Sequence, residues 1–304
     1  MRISLRLAII PLILLAALVI GALISPMGVS RGLIRAGDDL YRLVSVRASY
    51  APFKLINLLY WAGVLHPVQR EIRPGAVFEL DARDMVAREI LGWDVWEKPN
   101  TDLILGSLHE GAVMFDVGAH IGYYSVLGSL AVGPSGKIVS VEPNPDTLRR
   151  LRKDLELSHT SNVVVEDVAC TDKETTLTFY QASIRNTGAS SISEANAANA
   201  DHGAKVQSVT VRGRTLDSMV QELGLQRVDF VKIDVEGAEV QVLRGMKDTL
   251  ARFHPHMLIE MKPSQLESMG TSIGELRTVL RDSGYVLGRM PTDDDGEWVP
   301  ATGR

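Results

Sequence analysis

The sequence predicts an α/β fold, a doubly wound and mostly parallel sheet with helices on both faces. Three observations carry this. Strand-like and helix-like stretches alternate from Glu71 onward, the pattern of successive βα units. The strand candidates are continuous apolar runs, as expected of a sheet covered on both faces. The run Val113, Met114, Phe115 ends in Asp116, passes a turn flanked by Gly118 and Gly122, and enters the helix-like Tyr123-Tyr124-Ser125-Val126-Leu127. A strand, a glycine turn and a helix in direct succession place backbone amides beside a ligand.

Taken in order, residues 1–30 form a signal-like or membrane-anchoring segment. Within it, residues 7–24 are uncharged and almost wholly apolar, behind Arg2 and Arg6. That length is at the lower edge of the ~17–25 residues that span a bilayer. Leu23, Ile24, Ser25 and Pro26 make a poor cleavage site. The expectation is a single N-terminal hydrophobic helix that anchors the protein in a membrane, with a cleaved signal and a soluble helix as the other readings. Arg31, Arg35 and Arg42 after it favour a cytoplasmic catalytic domain. Residues 31–70 read as a helical linker.

The domain itself is expected over residues 71–290. Residues 77–80 alternate and suit a strand. Residues 84–91 have helical spacing, and 101–108 offer a short helix capped by Asn100 or Thr101. After the glycine turn, 137–141 is a β-rich run ending in Glu142, and 146–157 is a helix. A third strand, 162–165, ends at Glu166-Asp167, and 175–180 suits a hairpin strand. Residues 181–208 break the pattern with Ser, Ala, Asn and Gly. Loops of this length are uncommon in compact domains; this one either covers an acceptor with Asn186, Ser190 and Ser191 or is a solvated insertion. A strand at 209–211, a helix at 215–223, the fourth apolar run VDFVKIDV at 228–235 and a helix at 238–246 follow. Residues 256–260 are a strand. Residues 272–282 are a helix capped by Ser272 and stopped by Gly284. A last strand at 285–290 precedes a polar, acidic C-terminal tail, 291–304.

Composition narrows the partners. A net charge of −5 leaves no basic footprint for nucleic acid. Cys170 is the only cysteine, which excludes an intramolecular disulfide and a multi-cysteine metal site. It reads as a small core residue.

Ligands of such sheets bind beyond the carboxyl ends of the strands, where the strand order reverses. The acids at those ends are Asp116, Glu142, Asp167, Asp234 and Glu260. A dinucleotide site needs G-x-G-x-x-G so that bare backbone can approach a pyrophosphate. Here His120 replaces the middle glycine, and Asp116 would repel a diphosphate. S-adenosylmethionine suits the same acids, because its ammonium and sulfonium are cationic. Glu142, twenty residues after Gly122, stands where a ribose-binding acid is usual. Asp167 can accept from an adenine amino group. The cofactor-binding set is therefore Asp116, Gly118, His120, Gly122, Glu142 and Asp167.

The segments FDVGAHIGYYSVL, VEPNPDTLRRL, VVVEDVACTD and FVKIDVEGAEVQVLRG, with the downstream LIEMKP, resemble the FkbM-type S-adenosylmethionine-dependent methyltransferases over roughly residues 72–290. His120 sits where that family commonly has Asn, and Asp167 where it often has Asn. The resemblance implies a class I methyltransferase (Rossmann-like) fold, a seven-stranded sheet with one antiparallel edge strand. It implies O-methylation of a hydroxyl, often on a sugar or polyketide, so the expected partner is a small-molecule, glycan or glycolipid acceptor.

A hydroxyl acceptor must also lose its proton. Asp234, at the end of the fourth strand, is the candidate beside the transferred methyl. Lys232 shares its strand face. Glu236 is the second catalytic candidate, with favourable charge at a helix N-terminus as its structural reading. Asp234, Glu236 and Glu260 could hold a divalent cation through hard oxygens, but their spacing is not diagnostic and no His accompanies them, so no metal is expected. His120 is a base, a substrate contact or a loop residue. The competing function classes are an NAD-type oxidoreductase and a non-catalytic binding protein on the same fold.

Overall fold

The computed structural model describes residues 66–200 and 206–301. The segment 1–30, with its expected N-terminal hydrophobic helix, and the linker up to residue 65 lie outside them. Among the described residues no helix is long and apolar enough to cross a membrane. The expectation of a membrane-anchored protein with a cytoplasmic domain is corrected accordingly: no membrane span is found among the described residues.

A hairpin comes first, β1 (Val68–Arg73) and β2 (Ala76–Leu80), with helices α1 (Met85–Trp93) and α2 (Lys98–Ser107) after it. The first half of the central sheet then alternates as β3 (Val113–Val117), α3 (Tyr123–Val132), β4 (Lys137–Val141), α4 (Pro145–Leu157) and β5 (Val163–Glu166). An excursion follows, made of β6 (Val168–Cys170), β7 (Thr175–Gln181), a 3₁₀ turn at Thr187–Ala189, α5 (Glu194–Ala200) and β8 (Gln207–Arg214). The chain returns through α6 (Leu216–Glu222), β9 (Phe230–Ile233), α7 (Glu239–Arg244), α8 (Lys247–Phe253) and β10 (His256–Glu260). It closes with α9 (Pro263–Ser268), α10 (Ile273–Asp282), β11 (Tyr285–Leu287) and β12 (Asp295–Pro300).

Seven strands make the central sheet, in the order β11-β12-β10-β9-β3-β4-β5. The β3–β4, β4–β5, β3–β9 and β9–β10 pairs are parallel. Strand β12 runs antiparallel to both β10 and β11. The antiparallel strand is thus one place in from the edge rather than at it. It also lies beyond Pro291, where the sequence suggests only a polar tail. The two central strands, β3 and β9, are buried along their whole length. The core between sheet and helices is apolar and mostly aliphatic, with Phe115, Val139, Val231, Ile233 and Ile259 among its members. The strand order reverses between β3 and β9, and the candidate site lies there.

Residues 168–214 form a separate three-stranded sheet, β6-β8-β7, with its own small cluster of Ala169, Phe179 and Val211. The expected third strand therefore stops at Glu166, and the chain turns through Asp167 into a different sheet.

Helix starts follow local side-chain chemistry. Asp84, Asn144, Thr215 and Ser272 each accept from a backbone N–H of the first turn they cap. Helix α2 begins three residues earlier than expected, because Pro99 occupies the first turn, where its missing N–H costs nothing.

The β1–β2 hairpin is fastened to α4 by two side chains. Val77 N donates to Ser158 Oγ at 2.9 Å, and Glu79 N to Asp154 Oδ1 at 2.7 Å. Asp154 is fully buried and its Oδ2 has no partner. Burial raises its pKa to about 7, against the opposing pull of the Glu79 N–H. A carboxyl whose folded pKa is raised stabilises the fold below its unfolded value near 3.8 and loses that contribution as pH rises through about 7. Asp154→Asn keeps an acceptor for Glu79 and removes the titration. Wild type should lose up to ~4 kcal/mol of stability relative to this variant between pH 4 and 7, and the gap should then level off. Urea unfolding of both proteins across that range measures it.

Candidate active site

The turn after β3 is shaped by three left-handed residues around a close approach. Gly118 has φ +80°, and a Cβ there would lie 1.8 Å from the Asp234 carbonyl oxygen. The β3 and β9 ends therefore meet backbone to backbone, which a side chain at 118 would prevent. His120 is also left-handed, with φ 51°. Its N–H donates to Glu142 Oε2 at 2.8 Å, which ties the turn to the end of β4. Gly122 caps α3 with φ 83°, and a Cβ there would press on Leu151.

A cavity of about 310 Å³ opens over this point, at the lower end of the ~300–1,000 Å³ usual for small-molecule sites. On the β4 side it is bounded by Glu142 and Pro143, and by an apolar wall of Ala169, Cys170, Phe179 and Ile192. Glu142 Oε1 accepts from Asn144 N and Thr147 Oγ1, both within 3.0 Å. With His120 N these use three of about four acceptor directions of a carboxylate, leaving one for a ligand hydroxyl. Cys170 is the inert core residue expected: burial pushes its thiol up to about 12.

On the β9–β10 side the lining is charged. Lys232, Asp234, Glu236, Glu260 and Lys262 all face the cavity. Lys232 is buried; its Nζ donates to Gly118 O at 2.8 Å and lies 3.3 Å from Asp234 Oδ2 and 3.7 Å from Asp116 Oδ1. Burial opposes ionisation of Asp234, but the ammonium groups of Lys232 and Lys262 outweigh it and hold its carboxyl below the ordinary range. Burial opposes ionisation of Glu236 and Glu260 as well; there nearby Asp234 adds to it, and both pKa values are raised. Glu236 has a left-handed backbone at φ 56°. Its carbonyl accepts from Ser191 Oγ and Asn196 Nδ2. Glu239 closes the same loop by accepting from Val235 N and Gly237 N. The pattern Asp234-Val235-Glu236-Gly237-Ala238-Glu239 is thus a loop that one glutamate caps and another projects from.

The structure brings Gly118, His120, Glu142, Asp234 and Glu236 to one cavity, with Gly122 beneath it at the helix start. Two expected residues stand elsewhere. Asp116 is fully buried under the turn, where it accepts from Ser125 Oγ at 2.6 Å and faces Lys232. Asp167 is exposed and ion-paired with Arg212 at 2.5 Å, because the chain leaves the central sheet there. The His120 ring is held in the cavity wall. Burial takes its pKa down to about 4, and its Nε2 lies 2.6 Å from Thr187 Oγ1, which itself donates to Asp84. That network fixes the 3₁₀ turn over the cavity, where Asn186, Thr187 and Ser190 contribute to the wall. The stretch 181–208 is therefore part of the site wall over its first half.

Glu97 and Tyr124 complete the lining and were not among the sequence candidates. Tyr124 Oη donates to Glu97 Oε2 at 2.9 Å, and Glu97 sits left-handed at φ 40°. The only sequence signal for Tyr124 was its place on the first turn after Gly122. Glu97 stood before Lys98-Pro99, a helix-start signal.

A strand-end acid, an apolar wall and a charged opposite face at the switch point of a seven-stranded sheet define a small-molecule transferase site of the class I methyltransferase type. The profile of the methyltransferase FkbM domain matches residues 116–287, more than half of the chain. The chain belongs to the FkbM methyltransferase family and is an S-adenosylmethionine-dependent methyltransferase. It is 26% identical over 198 residues to hexuronic acid methyltransferase AglP of Haloferax volcanii, covering 63% of this chain and 76% of that protein. It is 24% identical to the 31-O-demethyl-FK506 methyltransferase FkbM of Streptomyces tacrolimicus, covering 59% and 75%. The crystal structure of methyltransferase FkbM from Methylobacillus flagellatus superposes with TM-score 0.43 at 17% identity, over 64% of this chain and 45% of that one. Family membership removes the NAD-type oxidoreductase reading.

Gly118→Ala tests the close approach. The added methyl cannot fit against the Asp234 carbonyl, and the left-handed backbone alone costs about 1–3 kcal/mol. The variant should melt at lower temperature and lose affinity for S-adenosylmethionine, measured by thermal denaturation and calorimetry.

Proposed function

We propose that this chain methylates a hydroxyl oxygen of a saccharide or similar oxygen-rich small molecule. The observation that carries the reading is the division of one cavity into a β4 side suited to adenosine and a charged β9–β10 side. On the first side, the apolar wall of Ala169, Phe179 and Ile192 takes the adenine, and the free acceptor direction of Glu142 takes a ribose hydroxyl. The Asp167 carboxylate is engaged by Arg212 instead. On the second side, ionised Asp234 suits the cationic amino-acid end and the sulfonium.

When bound, S-adenosylmethionine would supply an electrophilic methyl group to the acceptor oxygen, leaving as the neutral thioether, and the hydroxyl proton would pass to Asp234 and on to water. Asp234 and Glu236 act on that acceptor oxygen by orienting it and offsetting the positive charge that develops on it. The relatives named for hexuronic acid and for 31-O-demethyl-FK506 support an oxygen-bearing acceptor. The identity of the acceptor within that class is set by the wall from Glu97 to the Asn186 turn.

Calorimetric titration of S-adenosylmethionine tests the cofactor half. Glu142→Ala should weaken binding roughly 10-fold or more, the worth of a hydrogen bond to a charged group. Undiminished affinity would sink the assignment. In the acceptor half, Asp234→Asn should lower turnover on an oxygen acceptor by roughly 10²-fold or more, and an unchanged rate would remove Asp234.

A further inference from the structure

We propose that Asp234, Glu236 and Glu260 form a binding site for one hard divalent cation, Mg²⁺ or Mn²⁺, at the acceptor side of the cavity. The three residues come from the end of β9, the capped loop after it and the end of β10. One carboxylate oxygen from each lies within 4.8 Å of the others. Spacing in the sequence hides this, because the strands that carry Asp234 and Glu260 are neighbours only in the folded sheet.

A cluster of acids alone would be weak ground, since solvated acids gather at many surfaces. Here a second observation points to a missing positive partner. The Glu260 side chain is 8% exposed, and its Oε2 has no hydrogen-bond partner. A buried carboxylate oxygen without a donor is costly, and this one belongs to a residue lining the cavity beside two more acids. Its other oxygen, Oε1, is held by Lys262. The same division recurs at the other two positions. Lys232 lies against Asp234 Oδ2, and Gln265 donates to Glu236 Oε2. Each carboxylate is oriented by a donor on one oxygen, as ligands of metal sites are.

Acids outnumber cations here: Asp116, Asp234, Glu236 and Glu260, with Glu97 and Glu239 near them, face Lys232 and Lys262. An all-oxygen donor set with no His or Cys selects a hard cation rather than zinc. Such an ion keeps open positions for water or for acceptor oxygens. That last role rests on the hydroxyl-acceptor reading above; the binding of the metal does not.

The alternative occupant of the Glu260–Asp234 contact is a proton, and titration with metal separates the two. The whole chain, stripped with chelator and dialysed, is titrated with MgCl₂ by calorimetry and with MnCl₂ by electron paramagnetic resonance. One ion per chain is expected, with at least 10-fold weaker binding in Glu260→Gln and in Glu236→Gln. Asp248→Asn, on α8 outside the cavity wall, should bind as wild type does. S-adenosylmethionine affinity of Glu260→Gln, measured in parallel without metal, should stay within a few-fold of wild type and shows that the variant is folded. No saturable binding of either metal at millimolar concentration overturns the proposal, as does binding that Glu260→Gln and Glu236→Gln leave unchanged. Metal binding without any S-adenosylmethionine binding would sustain the cation site and defeat the cofactor assignment instead.

Discussion

The buried ammonium of Lys232 holds the switch point together. It is the only cation placed between Asp116 and Asp234 among the described residues, and it also fixes the Gly118 carbonyl. Two acids at adjacent strand ends, one of them fully buried, would otherwise repel each other in a medium that screens poorly. The Tyr124 ring, 5.7 Å from Nζ, covers a further side of the same charge. Position of the glycine turn, ionisation of Asp234 and the path of the chain after β9 all depend on this one group. The backbone contact at Gly118 is possible because Lys232 draws both strand ends to the same point.

Much of the fold was legible because interior parallel strands leave a plain signature. Val113–Val117 and Phe230–Ile233 are buried throughout and apolar except for Asp116 and Lys232, since helices cover both faces. Strand β12 has no such signature. Its first residues, Asp295, Gly296 and Glu297, are acidic or bare, and the Glu297 carboxylate is taken up by Arg289 rather than by solvent. Only Trp298, buried against the core, betrays it. Tertiary pairing outweighed composition there.

For the site, the strand-end rule points to Glu142 and Asp234, and both line the cavity because both follow strands of the central sheet. It misplaced Asp167 for a local reason: one residue after β5 the backbone joins another sheet, and the side chain follows it outward. Asp116 is a strand-end acid too, but it lies on the inner side of the turn, where Ser125 and Lys232 claim it. Glu97 and the Thr187 turn come from outside the glycine-turn and strand-end pattern. Nothing in local spacing says that Asp84, His120 and Thr187 will share a proton network, since that depends on α1 packing beside the turn.

The placement of β12 bears on synthesis. It is made after every other strand of the sheet, yet it occupies an interior position between β10 and β11. Until it emerges from the ribosome, β10 presents an unpaired hydrogen-bonding edge bearing Met257, Leu258 and Ile259. Such an edge invites pairing with another chain. The nascent protein therefore passes through an interval in which its candidate catalytic acids are already made but its sheet is open.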